Sequence, residues 1–538
     1  MRTRNRLFKN FVLSDAVSRR RAAVCGVAAA ALWGAAGCAS APPSLDGTQE
    51  PPSTEAVGSP TAQEGQEQKA QAPEDAPEVV ERVAEATVKA EVAPKPYPGA
   101  PSEALREALR EYLETPLWKP EEAQARLGRL AASLEGAGYE AHHTMALVRD
   151  AFPLEMPPKK RMRGAVVEVD PETYSKSSYP IYLPEGYTPD REWPLHVTLH
   201  GGSASGFNCR IYWNTERRPK HLKDVILLCP STPRGHFHSL RGELDMLSAL
   251  HRTLREYNVD TDRISLDGLS TGGTAAWILG AKHSPRWRSV TVRGGGSILS
   301  PRIKGNGYPS FHNLARVPVL ILHGAEDTLI KVGAAQGGAE FMERFGYSCD
   351  YWEDPKAGHI FFTRRNADVM AWLRDRRRAP LPKAFSHLSG IRSAPAPMLY
   401  WVHARGGSDD LEANIEGNTI TLQKKVAPSD VTVFVPDELL ADPSAPVQVV
   451  VNGVVAFEGE VPHSLEASLE SYWRTHDHKR LFSRAVRLSQ VGAPEPIDPR
   501  DLRGQLRDYD QWKDQEAIQS GTAWTSQIVG GERATAGR

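Results

Sequence analysis

Arg263-Ile264-Ser265-Leu266-Asp267-Gly268-Leu269-Ser270-Thr271-Gly272-Gly273 is the stretch on which the reading of this 538-residue chain turns. Arg263–Leu266 reads as a strand. The segment from Thr271 to Lys282, which contains Ala275-Ala276-Trp277-Ile278-Leu279, reads as a helix. Between them lies Gly-x-Ser-x-Gly. Alone, that pattern arises by chance in Gly-rich turns. Set between a strand and a helix, it describes a sharp turn that lifts a serine hydroxyl above a sheet. Glycines flank it because a Cβ there would strike the neighbouring strand or helix. The helix N-terminus behind it favours developing negative charge.

Outward from this turn, short β-rich runs alternate with helices. Strands are expected at Ala165–Val169, Pro180–Leu183, Leu195–Leu199, Val225–Leu228, Ser289–Arg293, Val317–Leu322 and Ser348–Glu353. Helices are expected at Gly242–Tyr257, Gly333–Phe345 and Asn366–Arg376. Such alternation predicts a mostly parallel sheet covered on both faces. Leu195–Leu199 and Val317–Leu322 are nearly all apolar, as doubly buried strands should be.

A serine hydroxyl needs a base to become a nucleophile. For a turn of this kind the chain order is serine, acid, histidine. Asp327 follows the strand Val317–Leu322, and His359 follows Ser348–Glu353. These positions make Ser270 the candidate nucleophile, His359 the base and Asp327 the acid. Glu326 and Asp354 are rival acids, whereas His323 and His200 suit strand-end and loop support. The segment His200-Gly201-Gly202-Ser203 follows a buried strand, so the N–H groups of Gly202 and Thr271 are the expected oxyanion donors. Tyr212, Trp213, Tyr308, His236 and His238 lie in loops near such a pocket, where surface packing or solvation is the simpler reading. His476-Asp477-His478 lacks a third metal ligand and reads as exposed.

Three further stretches join the Ser270 turn: Tyr179-Pro-Ile-Tyr-Leu-Pro-Glu-Gly-Tyr187, Trp193-Pro-Leu-His-Val-Thr-Leu-His-Gly-Gly202 and Tyr257-Asn-Val-Asp-Thr-Asp-Arg-Ile264. Together they resemble the secreted esterase branch of the α/β-hydrolases, of polyhydroxybutyrate-depolymerase-like, feruloyl-esterase-like and phospholipase/carboxylesterase type. The resemblance spans roughly Arg163 to Arg378. It implies an α/β-hydrolase fold, no cofactor or metal, and cleavage of a small or polymeric carboxylic ester through an acyl-serine intermediate. Two other readings stay open: a serine peptidase of the related prolyl-oligopeptidase type, and a catalytically silent surface or binding protein that keeps the fold. Asp267 and Thr271 depart from the residues usual beside such a serine, and an extra carboxylate there could alter pH dependence.

The rest of the chain divides by composition. Basic residues precede an alanine-rich run ending in Ala35-Ala36-Gly37-Cys38, which resembles a bacterial lipoprotein signal at 1–38. Ser18-Arg19-Arg20 hints at the twin-arginine route. Cys38 is the candidate lipidation site, for palmitate among other acyl groups. It implies a membrane partner through the lipid and a place in the bacterial cell envelope, on the outer membrane or facing the periplasm. Residues 39–100, rich in Pro, Glu and Ala, read as a disordered tether. A helical segment at 101–160, with Leu105, Leu109 and Leu113 on one face, is expected to pack on the catalytic domain at 161–380. At 390–486, valine runs around Asn452-Gly453 predict an antiparallel β-module and a helix from Ser464. A polar tail fills 487–538. With a net charge of −1, nucleic acid is not an expected partner. Cys209, Cys229 and Cys349 read as single buried thiols, with one disulfide possible on export.

Overall fold

The computed structural model describes residues 94–155, 166–169, 174–202, 204–217, 219–232, 236–297, 310–388, 396–404, 410–424 and 431–488. The expected leader with Cys38, nearly all of the tether, Ser203, Tyr308 and the tail from residue 489 lie outside them.

Three helices come first: α1 (Glu103–Leu113), α2 (Pro120–Gly136) and α3 (Thr144–Ala151). Ser102 caps α1, its hydroxyl accepting the N–H of Leu105. Pro120 sits in the first turn of α2, where its missing N–H costs nothing.

Eight strands then build one sheet: β1 (Val166–Val169), β2 (Ser178–Tyr182), β3 (Trp193–Leu199), β4 (Ile226–Leu228), β5 (Val259–Leu269), β6 (Ser289–Arg293), β7 (Val319–Gly324) and β8 (Cys349–Asp354). Their order is β1-β2-β4-β3-β5-β6-β7-β8. From β4 to β8 every pairing is parallel, and β1 and β2 add an antiparallel edge. The intervening helices are α4 (Leu240–Glu256), α5 (Thr271–Lys282), α6 (Val332–Arg344) and α7 (Asn366–Leu373). This is the α/β-hydrolase arrangement, with the strand-turn-helix unit β5–α5 at its centre. β5 begins four residues earlier than the apolar pattern suggests. Asp260 and Asp262 break that pattern, yet salt bridges to Arg263, Lys479 and Arg378 neutralise them. From Gly272 onward α5 is buried on all sides. It meets that demand with Ala, Gly, Trp, Ile and Leu, and its terminal Lys282 donates to both Glu243 oxygens at 2.5 and 2.6 Å.

The C-terminal part contains β9 (Ala384–His387), β10 (Met398–Leu399), β11 (Val402–Ala404), β12 (Leu411–Glu416), β13 (Thr419–Lys424), β14 (Val431–Phe434), β15 (Val447–Val451), β16 (Val454–Gly459), α8 (Leu465–Thr475) and β17 (Ala485–Leu488). It holds two sheets, β10-β11-β14-β17 and β16-β15-β13-β12-β9, whose residues share one core. Pairing is antiparallel except between β13 and β15. Asn452 and Gly453, at φ +52° and +83°, make the tight β15–β16 turn. Tyr400, at φ +55°, separates β10 from β11.

The helical prelude differs from expectation. Its apolar face is closed chiefly by α8: Leu109, Leu113, Leu127 and Leu134 form one cluster with Leu465, Leu469, Tyr472 and Trp473. The Trp473 indole donates to the Thr115 carbonyl at 2.8 Å.

Candidate active site

β5 ends at Leu269 and α5 begins at Thr271, leaving Ser270 alone at the apex with φ +58° and ψ −122°. A non-glycine residue there is strained and is held by what surrounds it. A Cβ on Gly268 would stand 2.0 Å from the Gly272 carbonyl oxygen, and one on Gly272 would stand 2.4 Å from that of Leu199. The glycines of the motif are therefore required by contact.

The next two parallel strands deliver the partners. Past β7, the buried Asp327 accepts the N–H groups of Leu329 and Ile330 on Oδ1, both at 2.9 Å. Its Oδ2 accepts from Nδ1 of His359 at 2.7 Å. With its proton on Nδ1, the imidazole keeps Nε2 as an acceptor. The rival acids stand elsewhere. Glu326 is exposed, and Asp354 is exposed and caps its own turn by accepting the Lys356 N–H at 3.0 Å. His323 is buried below, its Nε2 2.8 Å from the Ile330 carbonyl and 3.5 Å from Asp327.

One dipeptide touches all three candidates. The Arg293 carbonyl accepts the Ser270 N–H at 2.9 Å. A Cβ on the adjoining Gly294 (φ +50°) would lie 3.5 Å from both Asp327 Oδ2 and His359 Nδ1. Ser270, Asp327 and His359 thus stand along one rim of the sheet. The Ser270 hydroxyl and His359 do not form a hydrogen bond in this structure, and in free enzymes such bonds commonly tighten only with substrate bound.

Beneath the rim lies a buried charge network. Arg293 Nε approaches the Asp267 oxygens at 3.0 and 2.9 Å, and Nη2 lies 2.8 Å from Oδ2. His196 Nε2 meets the same carboxylate at 3.1 Å. Burial alone would raise the Asp267 carboxyl, but Arg293 and His196 outweigh it and hold it below the usual range. The carboxylate that looked like a perturbation beside Ser270 is therefore neutralised. Arg293 Nη1 also donates to the Phe361 carbonyl at 3.0 Å and to Asn366 Oδ1 at 2.9 Å, on the segment that follows His359. Trp213 is wholly buried against this guanidinium, and Tyr212 stacks on Phe361 with centroids 4.5 Å apart.

The loop after β3 packs on the turn, since a Cβ on Gly201 would fall 2.9 Å from that of Ser270. The Gly202 N–H points to Oγ1 of Thr271 at 2.8 Å. One expected oxyanion donor is therefore engaged by the side chain next to Ser270. The Thr271 N–H sits in the first turn of α5, where no intrahelical acceptor exists. His200 is buried, and its Nε2 accepts the Thr232 N–H at 3.2 Å; burial pushes it down to about 4.

Two groups differ from the sequence expectation. His236 and His238 are partly buried and stack with centroids 5.1 Å apart, and His238 hydrogen-bonds the Thr271 backbone. His476 and Asp477 are buried, not exposed. Asp477 is salt-bridged to Arg378 and accepts the Thr261 hydroxyl at 2.7 Å, while His478 meets Glu192 at 2.7 Å. Cys209 and Cys229 form a disulfide, leaving Cys349 as the free thiol among the described residues. The i, i+20 spacing carried no signal for that bridge.

No family model and no curated protein matches this sequence. Solved structures similar to part of it include a thermostable esterase (21% identity, TM-score 0.33), covering 40% of this chain and 62% of that one. An S-formylglutathione hydrolase from Agrobacterium tumefaciens matches at 18% identity and TM-score 0.33, covering 40% of this chain and 97% of that one. An esterase from Thermogutta terrifontis, solved with butyrate bound, matches at 19% identity and TM-score 0.32, covering 41% and 95%. This chain thus spans less than two thirds of the length of the first of these.

Proposed function

We propose that this protein is a serine hydrolase that cleaves carboxylic esters. Its active site would join Ser270, His359 and Asp327. Ser270 Oγ attacks the acyl carbon while its proton passes to His359 Nε2. The bond to the alcohol oxygen then breaks, and the alcohol leaves with that proton. Water attacks the acyl-serine, giving one proton to His359, which returns it to Ser270 Oγ as the acid departs. Asp327 keeps the imidazole in the required tautomer and stabilises its cation. The Thr271 N–H, with the loop at Gly202, faces the developing oxyanion.

The observation that carries this reading is the Asp327–His359 bond pressed against Gly294, one residue past the carbonyl that fixes the strained Ser270. The preference for esters rests on the sequence resemblance. Hydrolysis of 4-nitrophenyl butyrate by wild type and Ser270→Ala tests it. We expect kcat/KM to fall at least about a thousandfold. Equal rates would remove Ser270 from the mechanism. Turnover of a peptide nitroanilide without ester turnover would favour a peptidase.

For localisation, the proposal is a lipid-anchored envelope protein acylated at Cys38. The signal-like leader supports it, and so does the Cys209–Cys229 disulfide, a bond that persists in oxidising compartments. Mass spectrometry of the mature N-terminus, with Cys38→Ala released in soluble form, is the test.

A further inference from the structure

The exposed large apolar side chains among the described residues are Ile211, Leu329, Phe345, Ile360, Val454 and Val455. Three of them stand beside the candidate site. Ile360 directly follows His359 and is 48% exposed. Leu329 is 58% exposed, and its N–H is one of the two that Asp327 Oδ1 accepts. Ile211, 61% exposed, is tied to the same place through its neighbour Tyr212. The Tyr212 ring stacks on that of Phe361, the residue after Ile360, with planes 11° apart. The Tyr212 carbonyl also accepts Nδ2 of Asn366 at 2.8 Å. The backbones carrying Ile211 and Ile360 therefore adjoin.

On both loops the core takes the next apolar residue instead: Ile330 and Phe361 are each 6% exposed. Leu329 and Ile360 bury little, so packing does not require hydrocarbon there. Single exposed apolar side chains are ordinary, but several around one site mark a binding surface. The exposed charges on and beside the two loops, Glu326, Lys331, Asp354 and Lys356, balance in sign, so charge selects no ionic group.

The proton path decides which part of an ester meets these residues. The leaving alcohol takes its proton from His359 Nε2, so the alcohol portion must lie against the base. The acyl portion stays on Ser270, beside Thr271. Residues flanking His359 and Asp327 therefore face the alcohol.

We infer that this protein prefers esters whose alcohol portion is a large apolar group, held against Ile211, Leu329 and Ile360. The inference rests on the ester-hydrolase reading and extends it by assigning the leaving-group side of the site.

Acid release at constant pH from ethyl acetate, hexyl acetate and ethyl hexanoate tests it on the full chain, with Ser270→Ala as the blank. Each fully buried methylene is worth about fourfold, so kcat/KM for hexyl acetate should exceed that for ethyl acetate at least about tenfold. Ile211→Ser/Ile360→Ser should erase most of that preference, while ethyl acetate and ethyl hexanoate stay within about twofold of wild type. Equal rates on the two acetates, a preference that survives the double substitution, or an equal loss on all three esters would each overturn the inference and leave ester cleavage standing. Unchanged ester rates with altered sedimentation would assign the surface to contact between protein chains and likewise overturn it. No hydrolysis of any ester above the blank would remove the ester reading itself, and this inference with it.

Discussion

Arg293 and Asp267 face each other wholly buried, with the guanidinium Nε 3.0 and 2.9 Å from the two carboxylate oxygens. Asp267 lies three residues before Ser270, and Arg293 also holds the Phe361 carbonyl two residues past His359. The pair therefore links the strand that ends before Ser270 to the segment after His359. Arg293→Met leaves the buried Asp267 carboxylate without its cation, held only by His196, and breaking a buried ion pair typically costs about 3–5 kcal/mol. Urea unfolding should register that loss, and kcat should fall with it. The double variant Asp267→Leu/Arg293→Met should recover only part of the stability, since His196, the Phe361 carbonyl and Asn366 each lose a partner, and none of the rate, because the Phe361 contact stays absent. A single variant as stable as wild type would show that the pair orders nothing.

Thr271 offers a second test. Its hydroxyl accepts the Gly202 N–H at 2.8 Å, so that amide polarises the O–H beside Ser270. Thr271→Ser should keep activity. Thr271→Val should lower kcat roughly tenfold with little change in KM, less than the hundredfold or more seen on losing a direct oxyanion donor. A faster Thr271→Val enzyme would mean that the hydroxyl merely obstructs.

Acid should destabilise the fold early. Burial pushes His200 and His283 down to about 4 and His387 to about 3. Unfolded histidine titrates near ~6.5. Between those values the unfolded chain takes up protons that the folded chain refuses, so stability falls as pH drops. Asp245, raised to about 6 by burial, acts in the opposite sense and cancels about one proton. His238, His251 and His476, likewise held down by burial, add to this uptake, so the histidines outweigh Asp245 and stability falls as pH drops from ~6 to ~4. Urea midpoints at pH 7, 6 and 5 should decline accordingly, and a flat series would contradict it.

The Cys209–Cys229 bridge closes a loop with a sequence separation of 20. Removing such a cross-link costs about 3 kcal/mol. Cys209→Ala/Cys229→Ala should melt lower, by the same margin as wild type in reductant. Burial pushes the Cys349 thiol up to about 12, so iodoacetamide at pH 8 should leave native, oxidised protein almost unlabelled. Rapid labelling would show that the thiol is accessible.

The eight-stranded sheet was legible because its strands are doubly buried and nearly pure hydrocarbon, as in β3 and β7. The helix α5 matched its expected bounds because small and apolar residues fill it end to end. The Asp327–His359 contact could be anticipated from chain order after consecutive parallel strands. What escaped is polar and long-range. The start of β5 hid behind Asp260 and Asp262, whose partners lie as far off as Lys479. β9 and β17 are short edge strands with weak patterns. The burial of His476 depends on Arg255, more than two hundred residues earlier. Nothing local in the sequence marks such pairings.

The cluster joining α1 and α2 to α8 brings together segments near both ends of the described chain. As the polypeptide is made, the first helices emerge with part of their apolar surroundings still untranslated. They cannot settle until Leu465, Leu469, Tyr472 and Trp473 follow, well after the central sheet is complete. Closure of that layer is therefore a late event in biogenesis. Ribosome-stalled chains ending before residue 465 should expose α1 and α2 to protease even where the sheet has already become resistant.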